Sequence, residues 1–114
     1  MEIQACSFGR ITIDGQMYNR DVLILPDRVW DGWWRAAGHR LAIVDLEEAF
    51  QAGAEVLVVG TGFFGRMSVP DETRDGLEER GIEVHVLPTP RAWALYNEPR
   101  SAGRRVAAAL HLSC

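Results

Sequence analysis

Val56-Leu57-Val58-Val59-Gly60-Thr61-Gly62-Phe63-Phe64-Gly65, residues 56–65, is the stretch on which the fold turns. Its first four side chains are apolar and unbroken by polar alternation, which suits a strand covered on both faces. A glycine-rich turn follows at once. The spelling is a literal G-x-G-x-x-G, the pattern that seats a dinucleotide pyrophosphate on a helix N-terminus. That reading fails on context. Met67-Ser68-Val69 intervene before the next helix can start at Pro70, and the following strand ends Leu87-Pro88-Thr89, without an acid for a ribose. The glycines are therefore read as permitting a tight turn and close packing at a strand end.

Elements read outward from this strand alternate in type. After it, Pro70-Asp71-Glu72 opens a helix, with proline in a first-turn position and two carboxylates at the positive dipole end; Gly81 closes it. Ile82 to Leu87 alternates as a strand. Thr89-Pro90 starts a third helix, expected to run to about Glu98 and to break at Pro99. Arg105 to Leu112 is ambiguous from composition, since alanine favours helix and Gly103 a stop; a central strand is favoured, because small side chains let a helix pack closely over it. Before the central strand, Asp45 is expected to cap a helix from Leu46 to Ala52, ended by Gly53. Strands are expected at Ile3–Phe8, Arg10–Ile13 and Gln16–Leu25, and the link Asp14-Gly15 is a hairpin signal. Helices between successive strands argue for an α/β layered domain with an N-terminal β-hairpin.

The chain has 114 residues, one domain's worth, so residues 1–114 are taken as a single unit. It is 47% hydrophobic and 25% charged, an ordinary globular balance that excludes disorder and collagen-like repeats. Sixteen acidic residues against twelve basic ones, a net charge of −4, give no electrostatic case for nucleic acid or an anionic membrane. Every basic residue is arginine, which excludes Schiff-base and P-loop chemistry. No apolar run approaches the roughly 20 residues of a spanning helix. No secretory or transit signal is visible at the start, so a cytoplasmic protein is expected. Cys6 and Cys114 are read as reduced thiols.

Candidate chemistry is sparse. His39, His85, His111, Cys6 and Cys114 have no paired metal-ligand spacing, so no metal site is expected. His85 and His111 are read as satisfied strand histidines. No nucleophile-elbow sequence is present, and the carboxylates of 45–48 and 71–72 are read as first-turn charges. The segment Trp30-Asp31-Gly32-Trp33-Trp34-Arg35 carries more weight. Adjacent Trp33 and Trp34 cannot both point inward from an extended segment, so at least one is expected at the surface or against another subunit.

Several spellings together resemble one family: Ser7-Phe8-Gly9, Asp14-Gly15, Asp21-Val22, Trp33-Trp34-Arg35, Gly38-His39-Arg40-Leu41, Val58-Val59-Gly60-Thr61-Gly62, Val69-Pro70, Gly81-Ile82-Glu83-Val84, Thr89, Tyr96-Asn97 and Gly103 through Leu112. It is the Mth-domain family, which includes the adipogenesis-associated Mth-domain protein of animals and, more distantly, a mitochondrial complex I assembly factor. The resemblance spans nearly the whole chain. It implies a three-layer α/β domain whose central mixed sheet has a last strand antiparallel to its neighbours, which supports a strand at Arg105–Leu112. No established catalytic activity or cofactor comes with the resemblance; some members are dimeric in crystals. In this chain Glu98-Pro99 interrupts a helix that relatives carry on to the Gly103 position.

Two readings of function follow. The first is a non-enzymatic interaction or assembly module, a homodimer or a complex with another protein, with Trp33, Trp34 and Arg35 at the contact. The second is a small-ligand-binding protein or an enzyme with its site at the Gly60-Thr61-Gly62 turn, where α/β sheets bind ligands, with Arg40 or Arg66 supplying charge.

Overall fold

The computed structural model describes residues 1–101 and 103–114, and the side chains of all these except 99–101. Strands β1 (Ile3–Ser7), β2 (Arg10–Ile13) and β3 (Gln16–Tyr18) form a small antiparallel sheet. Asp14 and Gly15 both take positive φ, +49° and +82°, as the tight turn joining β2 to β3 requires. The expected strand Gln16–Leu25 divides. It leaves the small sheet at Tyr18, and after the polar run Asn19-Arg20-Asp21 a separate strand, β4 (Val22–Ile24), enters the larger sheet. The aromatic segment contributes the edge strand β5 (Val29–Asp31), paired antiparallel with β4.

A 3-10 turn at Ile43–Leu46 leads into helix α1 (Glu47–Gln51). Asp45 lies inside that turn instead of ahead of the helix. Its carboxylate reaches back to accept the Ala42 amide at 2.9 Å, so the cap acts one turn early and the α-helix starts at Glu47. Next come β6 (Val56–Gly60), α2 (Asp71–Glu79), β7 (Glu83–Leu87), α3 (Thr89–Ser101) and β8 (Val106–Leu110). Helix α3 passes the expected break at Pro99: a proline there forfeits one backbone hydrogen bond, and α3 is held by its packing on β6, β8 and β1.

The larger sheet runs β5-β4-β8-β6-β7. Strand β8 is antiparallel to β4 but parallel to β6, which corrects the expectation that the last strand opposes its neighbours. The reason is the connection. Helix α3 crosses over between β7 and β8, and a strand-helix-strand crossover returns the chain in the same direction. Alternate side chains divide between two cores. Val22, Ile24, Val56, Val58, Val106 and Ala108 pack with Ile3, Ile11, Ile13, Ala92 and Tyr96 beneath α3 and the small sheet. Leu23, Leu57, Val59, Ala107 and Ala109 pack with Leu41, Leu46, Ala49 and Leu77 beneath α1 and α2. The fold is the expected three-layer α/β arrangement. Cys6, against the first core, has its thiol pushed up to about 11 by burial, which makes it unreactive near neutral pH. Among the described residues no helix is long and apolar enough to cross a membrane.

Candidate functional site

Three features converge at the end of the sheet where β6 and β8 finish. The first is the glycine turn. Its backbone donors are all engaged within the chain: Thr61 N–H donates to Leu87 O, Gly62 to Thr89 Oγ1, Phe63 to Ser113 O, Gly65 to Gly62 O and Met67 to Thr61 O. The Phe64 and Arg66 amides both donate to the Cys114 carbonyl, at 3.3 and 3.0 Å. Thr61 Oγ1 donates to Leu87 O. The segment 113–114 therefore lies on the turn where a ligand would have met free amides. Gly62 is what admits it. With φ at +102°, a Cβ there would overlap the Cys114 carbonyl group and come within 2.9 Å of His111 Cδ2. Gly62→Ala is expected to cost about 1–3 kcal/mol, as strained backbone and overpacking do, and to lower the thermal midpoint measured by circular dichroism.

Arg40 is not at the turn's centre: its guanidinium pairs with Glu72 of α2 at 3.1 Å, over a shallow hollow of about 330 Å³ lined by Ala42, Ile43, Val44 and Thr73. Arg66 follows the turn and is exposed. So Gly60, Thr61 and Gly62 come together with Thr89, His111 and Cys114, while Arg40 faces elsewhere.

The second feature is the aromatic segment after β5. Trp33 is buried, its indole Nε1 donating to Asp45 O at 2.9 Å and its amide to Asp21 O at 3.0 Å. Arg35 is buried as well and lies over the Trp33 ring at 4.8 Å. Between them Trp34 is 74% exposed. The neighbours expected to share one surface are thus split, Trp33 and Arg35 inward and Trp34 outward, as alternation along an extended segment dictates. Phe8, Phe63 and Phe64 form a separate outward cluster, with ring centroids 5.9 and 6.0 Å from Phe8.

The third feature joins the other two. Asp21, just ahead of β4, accepts Arg35 Nη1 at 2.9 Å and His111 Nδ1 at 2.7 Å on Oδ2, and the Leu112 amide at 2.8 Å on Oδ1. Arg35 Nε and Nη2 also donate to Gly38 O, at 3.1 and 2.7 Å. A bare ring nitrogen would repel a carboxylate at 2.7 Å, so a proton is assigned to Nδ1, and in the neutral ring His111 Nε2 is then an acceptor. Arg35 Nη2 then lies 3.2 Å from a protonated Nδ1 as a close neighbour, not as its donor. On the far side of the ring, Ser113 Oγ is 3.3 Å from Nε2. Burial alone would raise the Asp21 carboxyl. Hydrogen bonds from His111, the Leu112 amide and Arg35, together with the charge of His111 when protonated, outweigh it and hold the group below the usual carboxylate range.

His111 was legible as a satisfied histidine, and it is one. Its partnership with Asp21 was not, because ninety positions separate the two and neither stands in a local motif. Ser113 carried one faint signal. In an extended segment a residue two beyond a histidine projects to the same side.

Comparison with known proteins gives the family. The chain is 30% identical to a conserved hypothetical protein of Pyrococcus horikoshii over 100% of both chains, with a TM-score of 0.85. To the protein MT938 it is also 30% identical, covering 99% of this chain and 98% of that one, with a TM-score of 0.83. A Mth938-like domain of Bordetella pertussis shares the fold at 22% identity and a TM-score of 0.76, over 97% of this chain and 85% of that one. Residues 3–111 match the family described as protein of unknown function (DUF498/DUF598), and the chain belongs to that family of Mth938-like α/β proteins.

Proposed function

We propose that the chain works as an interaction module that assembles through Trp34, with a second copy of itself as first partner. One observation carries the reading: Trp34 is 74% exposed between two buried neighbours. Trp33 and Arg35 are fixed by hydrogen bonds to Asp45, Asp21 and Gly38, so the loop is ordered before any contact forms. A rigidly presented tryptophan loses little freedom on binding and is the residue type most enriched at interface hot spots. The occupied amides of the glycine turn favour this reading over an anion or cofactor held by the turn. Two unbridged cysteines suit a reducing compartment, and we place the module in the cytoplasm.

The indole N–H resonance of Trp34 reports on this directly. It is expected to shift on dilution of the purified chain while that of Trp33, bonded to Asp45, holds still. Identical Trp34 positions at every concentration would exclude self-association through this loop.

A further inference from the structure

Asp21, His111 and Ser113 stand in the order carboxylate, imidazole, hydroxyl, with Oδ2 to Nδ1 at 2.7 Å and Nε2 to Oγ at 3.3 Å. The same side chains could serve packing alone, but packing does not require the last contact. Arg35 and the Leu112 amide already satisfy Asp21, and Asp21 satisfies Nδ1. What remains is Nε2, a lone-pair nitrogen in a buried ring, aimed at a half-buried hydroxyl. A neutral imidazole so oriented is the base that activates a serine, and triads of this kind are recognised by geometry, not by sequence position.

From this geometry we infer that Ser113 is an acyl-accepting nucleophile, with His111 as its base, Asp21 as a positioning residue, and carboxylic esters with good leaving groups as its substrates. The surroundings hold the Ser113 backbone in place. Ser113 O accepts the Phe63 amide at 2.7 Å, and the Cys114 carbonyl is seated on the turn that Gly62 opens. The amides of Ser113 and Cys114 donate to no protein acceptor among the described residues. The amide of the residue after a nucleophile is a common oxyanion donor, so Cys114 N–H fits that task.

The step balances without further reagents. The Oγ lone pair bonds to the ester carbonyl carbon while the Oγ proton passes to His111 Nε2. The tetrahedral oxyanion then collapses, the bond to the leaving oxygen breaks, and Nε2 returns the proton to that oxygen. The products are an acyl-serine, a free alcohol and a neutral His111. Water reverses the sequence to release the acid. This chemistry is additional to assembly through Trp34 and does not depend on it.

The test treats the intact chain with p-nitrophenyl acetate and, separately, with a fluorophosphonate, and locates the adducts by intact mass and peptide mapping. One adduct on Ser113 is expected, none in Ser113→Ala, and slower labelling in heavy water because a proton moves with the attack. His111→Asn keeps a donor toward Asp21 but lacks the base, and should slow labelling by about 100-fold or more. No adduct, an adduct on the Cys114 thiol in place of Ser113, or equal rates in the two waters would overturn the assignment. So would a folded His111→Asn variant labelled at the unaltered rate. Where that variant does not fold, the isotope comparison on the unaltered chain decides alone.

Discussion

Asp21→Ala is expected to destabilise the chain by about 3–5 kcal/mol, the usual cost of stranding one member of a buried ion pair. The partner left behind is Arg35, whose side chain is only 5% exposed. The same change orphans the Leu112 amide and frees the His111 ring. Urea titration would measure the loss, and Arg35→Met in the Asp21→Ala background should recover a large part of it, because the uncompensated charge is gone. Acid should act through the same group. The folded Asp21 carboxyl is held below its ordinary value of 3.8, so at intermediate pH the unfolded chain binds the extra proton. Its stabilisation is therefore complete above that value and is lost as pH falls through the lowered folded pKa. The Asp21→Ala variant should show a flatter decline across that acid range. An equally steep one would remove Asp21 from the acid response.

Trp34→Ala is expected to weaken self-association by about 2 kcal/mol or more, roughly 30-fold in dissociation constant, as truncation of an aromatic hot spot does. Its folding stability should change by no more than about 0.5 kcal/mol, because a side chain so exposed contributes little to the core. Dilution calorimetry and a thermal melt on the same samples separate the two effects. Trp33→Ala should do the reverse: the buried indole supports Leu41 and Leu46, and its loss should cost about 3–5 kcal/mol in folding.

Much of this architecture was legible because its signals are local. The unbroken run Val56–Val59 marks a strand covered on both faces, Asp14-Gly15 a tight turn, and Pro70 with two acids a helix start. Signals failed where pairing with a distant strand decides the outcome. β5 consists of three residues whose strand character comes from β4, and the direction of β8 is fixed by the crossover through α3, not by its own alanines. The candidate sites divide in the same way. Extended backbone sets Trp33 and Trp34 on opposite sides, so at least one of them is expected at the surface, but which one is decided by the bonds from Trp33 to Asp21 and Asp45. The glycine turn was placed correctly at the end of β6, yet nothing nearby in sequence foretold that residues 113–114 would fill its amides. Asp21 and His111 meet only because β4 and β8 are neighbours in the sheet.

Sedimentation equilibrium of the unaltered chain beside Trp34→Ala addresses the assembly claim most directly. A species of twice the 12.7 kDa chain mass is expected for the unaltered protein, and a single chain mass for Trp34→Ala with its circular dichroism unchanged. A monomeric unaltered chain at every concentration, or a dimer that survives loss of the Trp34 indole, would contradict it.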